Sequence, residues 1–431
     1  MTDAATELAR RYRDVRAATT ALAEPLSEAD AQAQSMPDAS PVKWHLAHTT
    51  WFFETFVLEL HEPGFRAHQP AFRVLFNSYY HGVGAQHPRA ERGLVTRPGL
   101  ADVLHYRRAV DERVLAWLGH DPPPQALSLL EIGLHHEQQH QELILTDVLH
   151  LLSRNPMLPA YRAHGVAPVP APGAAAPAGW IEYAGGMVEI GHDGRGFAFD
   201  NEQPRHRRWL EPFAIADRPV TQGEWAAFVD DGGYREPRWW LAAGWDWVRA
   251  NGIDAPLYWR RDGGGRRQVF TLAGVLPFDE RAPVAHVSLY EADAYASWFA
   301  AQTALPCRLP TEAEWEHAAA GAGADAIARG RFVDDGVLHP RAAPPGGGLR
   351  QMFGDVWEWT RSAYEPYPGY RPWTGAAGEY NGKFMVDQHV LRGGSCATPR
   401  SHIRASYRNF FPAGARWQFS GVRLACDLQR R

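Results

Sequence analysis

The segment HHEQQHQE, from His135 to Glu142, combines residue types that are suited to binding a metal. On a helix, His136 and His140 are four residues apart, so their imidazoles project from one face and can share one ion. Gln139 follows His136 by three residues and lies on nearly the same face. Structural histidines without a ligand would show the same letters. The spacing favours a metal site on this helix but does not name the metal.

Two more histidines, His45 and His48, lie three residues apart in the segment WHLAHTTW. Helical bundles commonly build metal sites from inward-facing side chains on neighbouring helices. One of these two histidines, with His136 and His140, would complete a three-histidine site with open coordination positions. Neutral nitrogen ligands leave the full charge on a divalent ion, which favours an anionic thiolate or selenolate as a further ligand.

The letters HEQQH also satisfy HExxH, the zinc protease pattern, and spacing alone does not exclude that reading. The metzincin extension would need glycine and histidine at fixed places after His140, where the sequence has QELILT. A zinc hydrolase therefore stays an alternative. A non-catalytic binding or protein-modifying module is a third possibility.

Helices must position these residues, because apolar residues recur at helical spacing from about residue 5 to residue 155. Four long helices are the simplest account. We predict one at 42–60, since Ser40-Pro41 is typical of the start of a helix. We predict two more, one from Gly99 to before Gly119 and one at 127–154. The irregular stretch 65–98 is long for a loop in a compact domain, and such loops are usually functional.

Composition divides the chain into two domains, in keeping with its 431 residues. Residues 161–178 are rich in Pro, Ala and Gly and predict a linker between a helical domain, 1–160, and a second domain, 179–431. After Gly179, short segments alternate with glycines and tryptophans. This texture suits a loop-rich α+β domain with few regular strands.

The bulk composition points to a small-molecule partner. With 45% apolar and 22% charged residues and a net charge of -5, nothing suggests nucleic acid, and no stretch approaches the ~20 apolar residues of a membrane span. Cys307, Cys396 and Cys426 are widely separated and odd in number, which argues against a disulfide framework and a thiolate zinc site. We therefore expect a cytoplasmic protein.

Motifs in both halves carry a resemblance to known families. WHLAH and the HxxxHxE arrangement resemble the DinB-like four-helix metal-binding bundle. RLPTEAEWEHAA, GDVWEWT, VLRGGSC and FSGVRLA resemble the C-type-lectin-like formylglycine-generating-enzyme/sulfatase-modifying domain. The fusion of the two in this order, over nearly the whole chain, resembles the ergothioneine-biosynthesis sulfoxide synthases, known as EgtB enzymes, and their selenoneine-synthase relatives.

The resemblance implies an iron(II) enzyme that uses O2 as co-substrate. The matching iron ligands are His48, His136 and His140, with His45 as a neighbour. Hercynine, the N,N,N-trimethyl betaine of histidine, would bind iron through its imidazole, and Gln139 would orient that ring. The reaction would attach sulfur or selenium to imidazole C2, with a thiol or a selenosugar as donor.

Further site residues follow from the same resemblance. FNSYY resembles the cysteine-using branch, so Tyr79 and Tyr80 match paired active-site tyrosines that deliver a proton, although an aromatic pair could instead pack the domains together. The second domain would complete the site with the substrate-facing residues Asn409, Phe410, Phe411 and Arg416.

Two departures from the relatives narrow these expectations. The branch that uses γ-glutamylcysteine has Trp-Asp where this chain has Phe410-Phe411, which argues against the dipeptide as donor. The formylglycine-generating activity needs a reactive cysteine pair that the chain does not show, so we expect no catalytic cysteine. We also expect Trp315, Trp357 and Trp359 to be scaffold.

Overall fold

A computed structural model of the protein describes residues 3–120, 122–162, 173, 175–323 and 325–428. Contacts divide the chain into two compact units. The helical unit is Met1–Arg162 together with Pro372–Tyr380, and the β-rich unit is Ala163–Arg371 together with Asn381–Arg431. The predicted linker at 161–178 falls largely outside the described residues, because 163–172 and 174 are not among them.

Four long helices form the helical unit, as the hydrophobic periodicity predicts. Its helices are α1 (Asp3–Ala23), α2 (Glu28–Gln32), α3 (Val42–Phe53), α4 (Glu59–His61), α5 (Phe72–Leu75), α6 (Leu100–Leu118) and α7 (Pro124–Ser153). Pro41 is the N-cap residue of α3, and a π-helical segment, Glu54–Leu58, joins α3 to α4 without a break. The helix predicted at 42–60 is therefore one continuous element.

A close approach at Gly133 packs α7 on α3. A Cβ atom built on Gly133 would lie 2.4 Å from Cε1 of Phe53 and 3.0 Å from the ring of Phe52, and both rings are fully buried. No larger residue fits without moving the rings, because protein cores are close-packed. Since His136 follows Gly133 by three residues and His48 precedes Phe52 by four, this contact brings both histidine-bearing faces together.

Within the described residues, the β-rich unit contains two four-stranded sheets, a two-stranded sheet and a three-stranded sheet. Its strands are β1 (Trp180–Tyr183), β2 (Gly186–Ile190), β3 (His206–Leu210), β4 (Phe213–Ala216), β5 (Trp259–Arg261), β6 (Arg267–Thr271), β7 (Gly274–Pro277), β8 (Cys307–Arg308), β9 (Trp357–Ala363), β10 (Gln388–Arg392), β11 (Asn409–Pro412), β12 (Ser420–Gly421) and β13 (Ala425–Asp427). Its helices are α8 (Gln222–Asp230), α9 (Ala242–Asn251), α10 (Leu289–Thr303), α11 (Glu312–Gly321) and α12 (Ala326–Arg329).

Short strands and buried tryptophans hold the β-rich unit together. The strand orders are β1-β4-β13-β8, β11-β10-β9-β12, β2-β3 and β5-β6-β7. The expectation that Trp315, Trp357 and Trp359 are core residues is confirmed, since each is at most 1% exposed. Trp315 donates to the Glu358 carboxylate at 2.6 Å, and Arg423 also donates to that carboxylate, so these motifs stabilise the fold.

The cysteines correct one expectation from the sequence. Cys307 and Cys426 form a disulfide, although the odd number and wide spacing of the cysteines argued against one. The reason is strand register: β8 and β13 pair antiparallel with these two residues directly opposite each other, 119 positions apart in the chain. Cys396 is buried and lies outside this disulfide. Separately, none of the described helices has the length and apolar character needed to cross a membrane.

Candidate metal centre

Three buried imidazoles converge between two helices of the helical unit. His136 and His140 lie one turn apart on α7, and His48 lies on α3. Each offers a ring nitrogen within 4.8 Å of the other two, and Nε2 of His48 is 3.2 Å from Nε2 of His136. Across the part of the chain that the structure describes, this is the one group of three or more such side chains with metal-ligand spacing.

Aromatic stacking fixes the orientation of the His48 ring. All twelve residues of α3 are buried, so its side chains are held on every face of the helix. The indole of Trp44 stacks on the His48 ring at 4.5 Å between centroids, and Trp51 contacts the ring at 5.5 Å. The ring is therefore held by its own helix and does not depend on a bound ligand for its orientation.

Hydrogen bonding selects the tautomer of His48. Its Nδ1 lies 2.6 Å from the carbonyl oxygen of Phe76, which can only accept a hydrogen bond. Nδ1 must therefore carry the proton, and a neutral ring then leaves the Nε2 lone pair facing His136. The long loop that contains Phe76 thus takes part in the site through its backbone.

A chain of hydrogen bonds selects the tautomer of His140. Nδ1 of His140 lies 2.7 Å from Nδ1 of His45, and Nε2 of His45 lies 3.1 Å from the Asp147 carboxylate. The carboxylate accepts from His45 Nε2, so the neutral His45 ring accepts from His140 through Nδ1. This leaves the Nε2 lone pair of His140 for a metal, with a carboxylate behind it as in many metal sites.

Burial keeps all three rings neutral, which is the form that binds metals. Burial lowers the pKa of His136 to about 3. Burial also lowers the pKa of His48 and His140 well below the usual range, and the neighbouring His136 lowers both further. Nδ1 of His136 is buried without a hydrogen-bond partner in the described structure. The donor set thus fits a divalent transition metal, and imidazole ligands suit iron, zinc, copper and nickel alike.

Glu137, the carboxylate of the HExxH pattern, is directed away from the three histidines into an ion-pair network. It is fully buried, and it accepts hydrogen bonds at 2.8 Å from both Arg16 and Arg107. Burial alone would raise the pKa of Glu137, but the two guanidinium groups lower it to about 2. A carboxylate held in this way is a poor general base, because both of its oxygens are already occupied. This arrangement counts against the zinc hydrolase.

The predicted tyrosine pair lies in the loop after α5, where Tyr80 is buried and Tyr79 is half-buried. Its two rings are 4.7 Å apart, and Tyr80 also packs on Phe56 and Trp51. The side chain of Asn77 holds the turn, because its oxygen accepts from the Tyr80 N–H and its amide donates to the Tyr80 carbonyl. Burial raises the pKa of Tyr79 and Tyr80, so both phenols stay protonated.

Tyr380 is a candidate site residue that no pattern in the sequence singled out. Its ring lies 5.6 Å from the His136 ring and 6.5 Å from the Tyr79 ring, and its hydroxyl donates to Oε1 of Gln139. The adjacent Glu379 accepts from the backbone N–H groups of His81 and Gly82, which ties this segment to the tyrosine loop. Residues 372–380 have neither helical nor strand periodicity, so no local pattern predicts this position.

The predicted residues of the second domain lie on and near β11. Phe410 stacks on Tyr364 at 4.0 Å, and Phe411 contacts Trp417. The Asn409 side chain accepts from the Phe410 N–H. Arg416 lies 3.2 Å from the carboxylate of Glu291 and donates to the carbonyl of Ala255. Their role in substrate binding stays a prediction.

Two family profiles match the chain, and together they cover most of it. Residues 11–144 match the DinB superfamily, and residues 168–345 and 340–428 match the sulfatase-modifying factor enzyme 1-like domain. With the helical and β-rich units, these matches define the class: a DinB-type helical domain followed by a sulfatase-modifying-factor-type domain. The expected fold class is confirmed.

Similar proteins narrow the class to a family. The hercynine oxygenase of Mycolicibacterium thermoresistibile is 35% identical over 99% of this chain and 96% of its own length. That of Mycobacterium tuberculosis is 35% identical over 98% of this chain and 99% of its own length. The ergothioneine biosynthesis protein 1 of Schizosaccharomyces pombe is 30% identical over 53% of this chain and 27% of its own length. The chain belongs to the hercynine oxygenase family.

The hydrogen-bond chain behind His140 predicts an effect of His45 on metal affinity. We expect His45→Phe to weaken binding of Fe(II) or Co(II) about 10- to 100-fold, because His140 loses the acceptor that fixes its tautomer. His45→Gln retains an acceptor and should recover part of the affinity. Anaerobic titration calorimetry measures both, with His150→Phe on α7, the helix of His140, as a control. Unchanged affinity in His45→Phe would show that the chain does not support the ligand.

The ion pairs of Glu137 predict that this residue stabilises the fold. Glu137→Gln should cost about 3 kcal/mol of unfolding free energy, because two buried guanidinium groups lose their carboxylate. Glu131→Gln, also on α7, is the control, since its partly exposed pair with Arg11 of α1 should contribute less than about 1 kcal/mol. Thermal melting tests this. A Glu137→Gln protein that melts like the parent but loses all activity would instead favour a catalytic base.

Proposed function

We propose that this protein is an iron(II)-dependent enzyme that uses O2 to join sulfur or selenium to imidazole C2 of hercynine, in ergothioneine or selenoneine biosynthesis. The observation that carries the proposal is the buried triad of neutral imidazoles in a chain of the hercynine oxygenase family. His48, His136 and His140 would hold the ion. Bound iron would supply the activation of dioxygen, which no side chain can provide.

The proposed reaction balances without a further reductant. With cysteine as donor, hercynine loses the hydrogen at C2 and the thiol loses its proton as the C–S bond forms. One oxygen atom of O2 becomes the sulfoxide oxygen, and the other leaves as water. Bond formation and sulfur oxidation each release two electrons, which together match the four electrons that O2 takes up.

Gln139 is proposed to orient the substrate imidazole. It lies on the same face of α7 as the two histidines, and its oxygen already accepts from the Tyr380 hydroxyl. Because the amide oxygen of Gln139 faces the phenol, its NH2 group is the end that can donate to a nitrogen of the substrate imidazole. In this proposal Tyr380 positions Gln139 and also stands beside the ring of His136.

The tyrosines are proposed to be proton donors. Burial raises the pKa of Tyr79 and Tyr80, which keeps both hydroxyl protons in place at physiological pH. A protonated phenol near the reacting atoms can donate a hydrogen bond or a proton as negative charge develops. The 6.5 Å separation between the rings of Tyr79 and Tyr380 places a third phenol next to this pair.

Asn409, Phe410, Phe411 and Arg416 are proposed to contact substrate. An aromatic wall suits the trimethylammonium group of hercynine through cation–π attraction. The donor is proposed to be cysteine or a selenosugar, because Phe410-Phe411 replaces the Trp-Asp pair of the γ-glutamylcysteine branch. A competition assay with cysteine, γ-glutamylcysteine and a selenosugar identifies the donor by the product formed.

The ligand assignment predicts the effect of His136→Ala. We expect the variant to lose its iron, because the two remaining imidazoles make a weak site for a divalent ion. Iron content after anaerobic loading and desalting is the measurement. His135→Ala is the matched control, since that ring contacts Arg11 rather than the triad and the variant should retain a full equivalent. A full equivalent in His136→Ala would refute the assignment.

The position of Tyr380 predicts a loss of turnover without a loss of metal. Tyr380→Phe should lower hercynine- and donor-dependent oxygen uptake by about 100-fold or more, because both the hydrogen bond to Gln139 and an acidic proton are removed. Iron content should stay at the parental level. Tyr183→Phe, in the β-rich unit, is the control. Parental turnover in Tyr380→Phe would remove this residue from the proposed mechanism.

A further inference from the structure

A cavity of about 460 Å³ lies within the β-rich unit. Most of its lining comes from the β5-β6-β7 sheet, the segment that follows β7, and the loop at 331–342, and Gln222 of α8 and Phe419 add to it. The volume falls in the range of about 300–1,000 Å³ that small-molecule sites occupy. None of the residues proposed for the oxygenase lines this cavity.

One wall of the cavity is an apolar row across the three-stranded sheet. Val269 of β6 lies directly opposite Trp259 of β5 on one side and Leu276 of β7 on the other. All three side chains line the cavity, and all three are only half-buried. Residues directly opposite each other share one face of a sheet, so this row is a continuous apolar surface. A flat or branched apolar group would complete its burial.

Two polar atoms at the cavity lack partners. Oε1 of Gln222 and Nε of Arg281 are both buried, and neither has a hydrogen-bond partner within the described residues. A buried polar atom without a partner costs about 1–3 kcal/mol, so such atoms are rare in folded proteins. A ligand that offers one donor and one acceptor would satisfy both.

The lining carries an excess of positive charge. Arg281, Arg331 and Arg341 line the cavity, against the single carboxylate of Asp279. Arg331 donates to the Ala342 carbonyl and pairs with the buried Asp355 carboxylate at 3.7 Å. Arg281 Nε lies 3.8 Å from Asp279, beyond hydrogen-bond distance. Arg341 makes no ion pair with any residue that the structure describes. The guanidinium groups of Arg281 and Arg341 therefore favour an anion.

The two histidines of the lining do not add to this charge. Burial lowers the pKa of His286 to about 3, and it also lowers the pKa of His339. The ring of His286 packs on Phe419, and its Nδ1 donates to the Gln418 carbonyl at 3.0 Å. This neutral ring adds an uncharged surface to the lining. The cavity is therefore amphipathic, with apolar residues and arginines in the same lining.

We propose that this cavity binds a small aromatic or branched aliphatic carboxylate that also carries an N–H or O–H donor. The apolar body lies on the row formed by Trp259, Val269 and Leu276. The carboxylate accepts from Arg281 and Arg341, and the donor satisfies Oε1 of Gln222. The site goes beyond the oxygenase function and does not depend on it.

Indole-3-acetate is a probe that has an apolar body, a carboxylate and an N–H donor. Tryptophol is the corresponding alcohol, which lacks the carboxylate. Titration calorimetry on the full chain should show binding of indole-3-acetate and at least about tenfold weaker binding of tryptophol, because charge-assisted hydrogen bonds exceed neutral ones. Arg281→Gln/Arg341→Gln should remove this preference, and Arg341→Gln alone should reduce it. Arg195→Gln, which alters a side chain that is 91% exposed, should leave it unchanged.

The hydrogen-bond donor of the ligand is tested separately with 1-methylindole-3-acetate, which lacks the N–H group. It should bind the parent chain more weakly than indole-3-acetate, and Gln222→Leu should bind the two equally. Three results would overturn the proposal: no binding of indole-3-acetate at millimolar concentration, equal affinity for tryptophol, or an unchanged preference in arginine variants that melt at the parental temperature. Iron loading of the same variants should be unaffected, which separates this site from the metal centre.

Discussion

Two imidazole nitrogens, Nε2 of His48 and Nε2 of His136, face each other at 3.2 Å in the core of the helical unit. The Phe76 carbonyl accepts a hydrogen bond from the Nδ1–H group of His48, so the Nε2 lone pair of His48 points at His136. The facing nitrogens can then be satisfied by a shared proton or a shared cation. Burial lowers the pKa of both rings, which disfavours a positively charged pair of imidazoles. The packing of α3 against α7 holds the two nitrogens in this position.

The two sides of α7 have different roles. One side presents His136, Gln139 and His140, with uncharged rings and an amide. The other side presents Glu137, whose charge is neutralised by Arg16 and Arg107. Because this carboxylate pairs with guanidinium groups from α1 and α6, the ion pairs connect α7 to both of those helices. In the HExxH segment, the two histidines thus face the candidate metal site, whereas the glutamate forms ion pairs that stabilise the fold.

Local patterns in the sequence predicted the parts of the site that depend on local structure. The spacing of His136 and His140 predicted a shared face because the helical repeat alone decides it. Spacing could not decide between His45 and His48, since both lie on one helix; the family resemblance named His48, and the structure places His45 behind His140. Tyr380 and the disulfide depend on the path of the whole chain and on strand register, which no local period reveals.

The same distinction applies to the fold. Helical periodicity and the glycine-tryptophan texture were enough to predict a helical domain followed by an α+β domain, because each reflects which faces are buried. The grouping of Pro372–Tyr380 with the helices could not be predicted, since it depends on contacts such as that of Glu379 with the backbone at His81 and Gly82. The site is therefore partly built by a segment that is distant from it in sequence.

X-ray absorption at the iron edge of the anaerobically loaded protein tests the assignment of the three histidines, because it counts and identifies the iron ligands. We expect three imidazole ligands from the protein and a fourth when hercynine is added. A ligand set with a protein carboxylate, a thiolate or fewer than three imidazoles would refute the assignment.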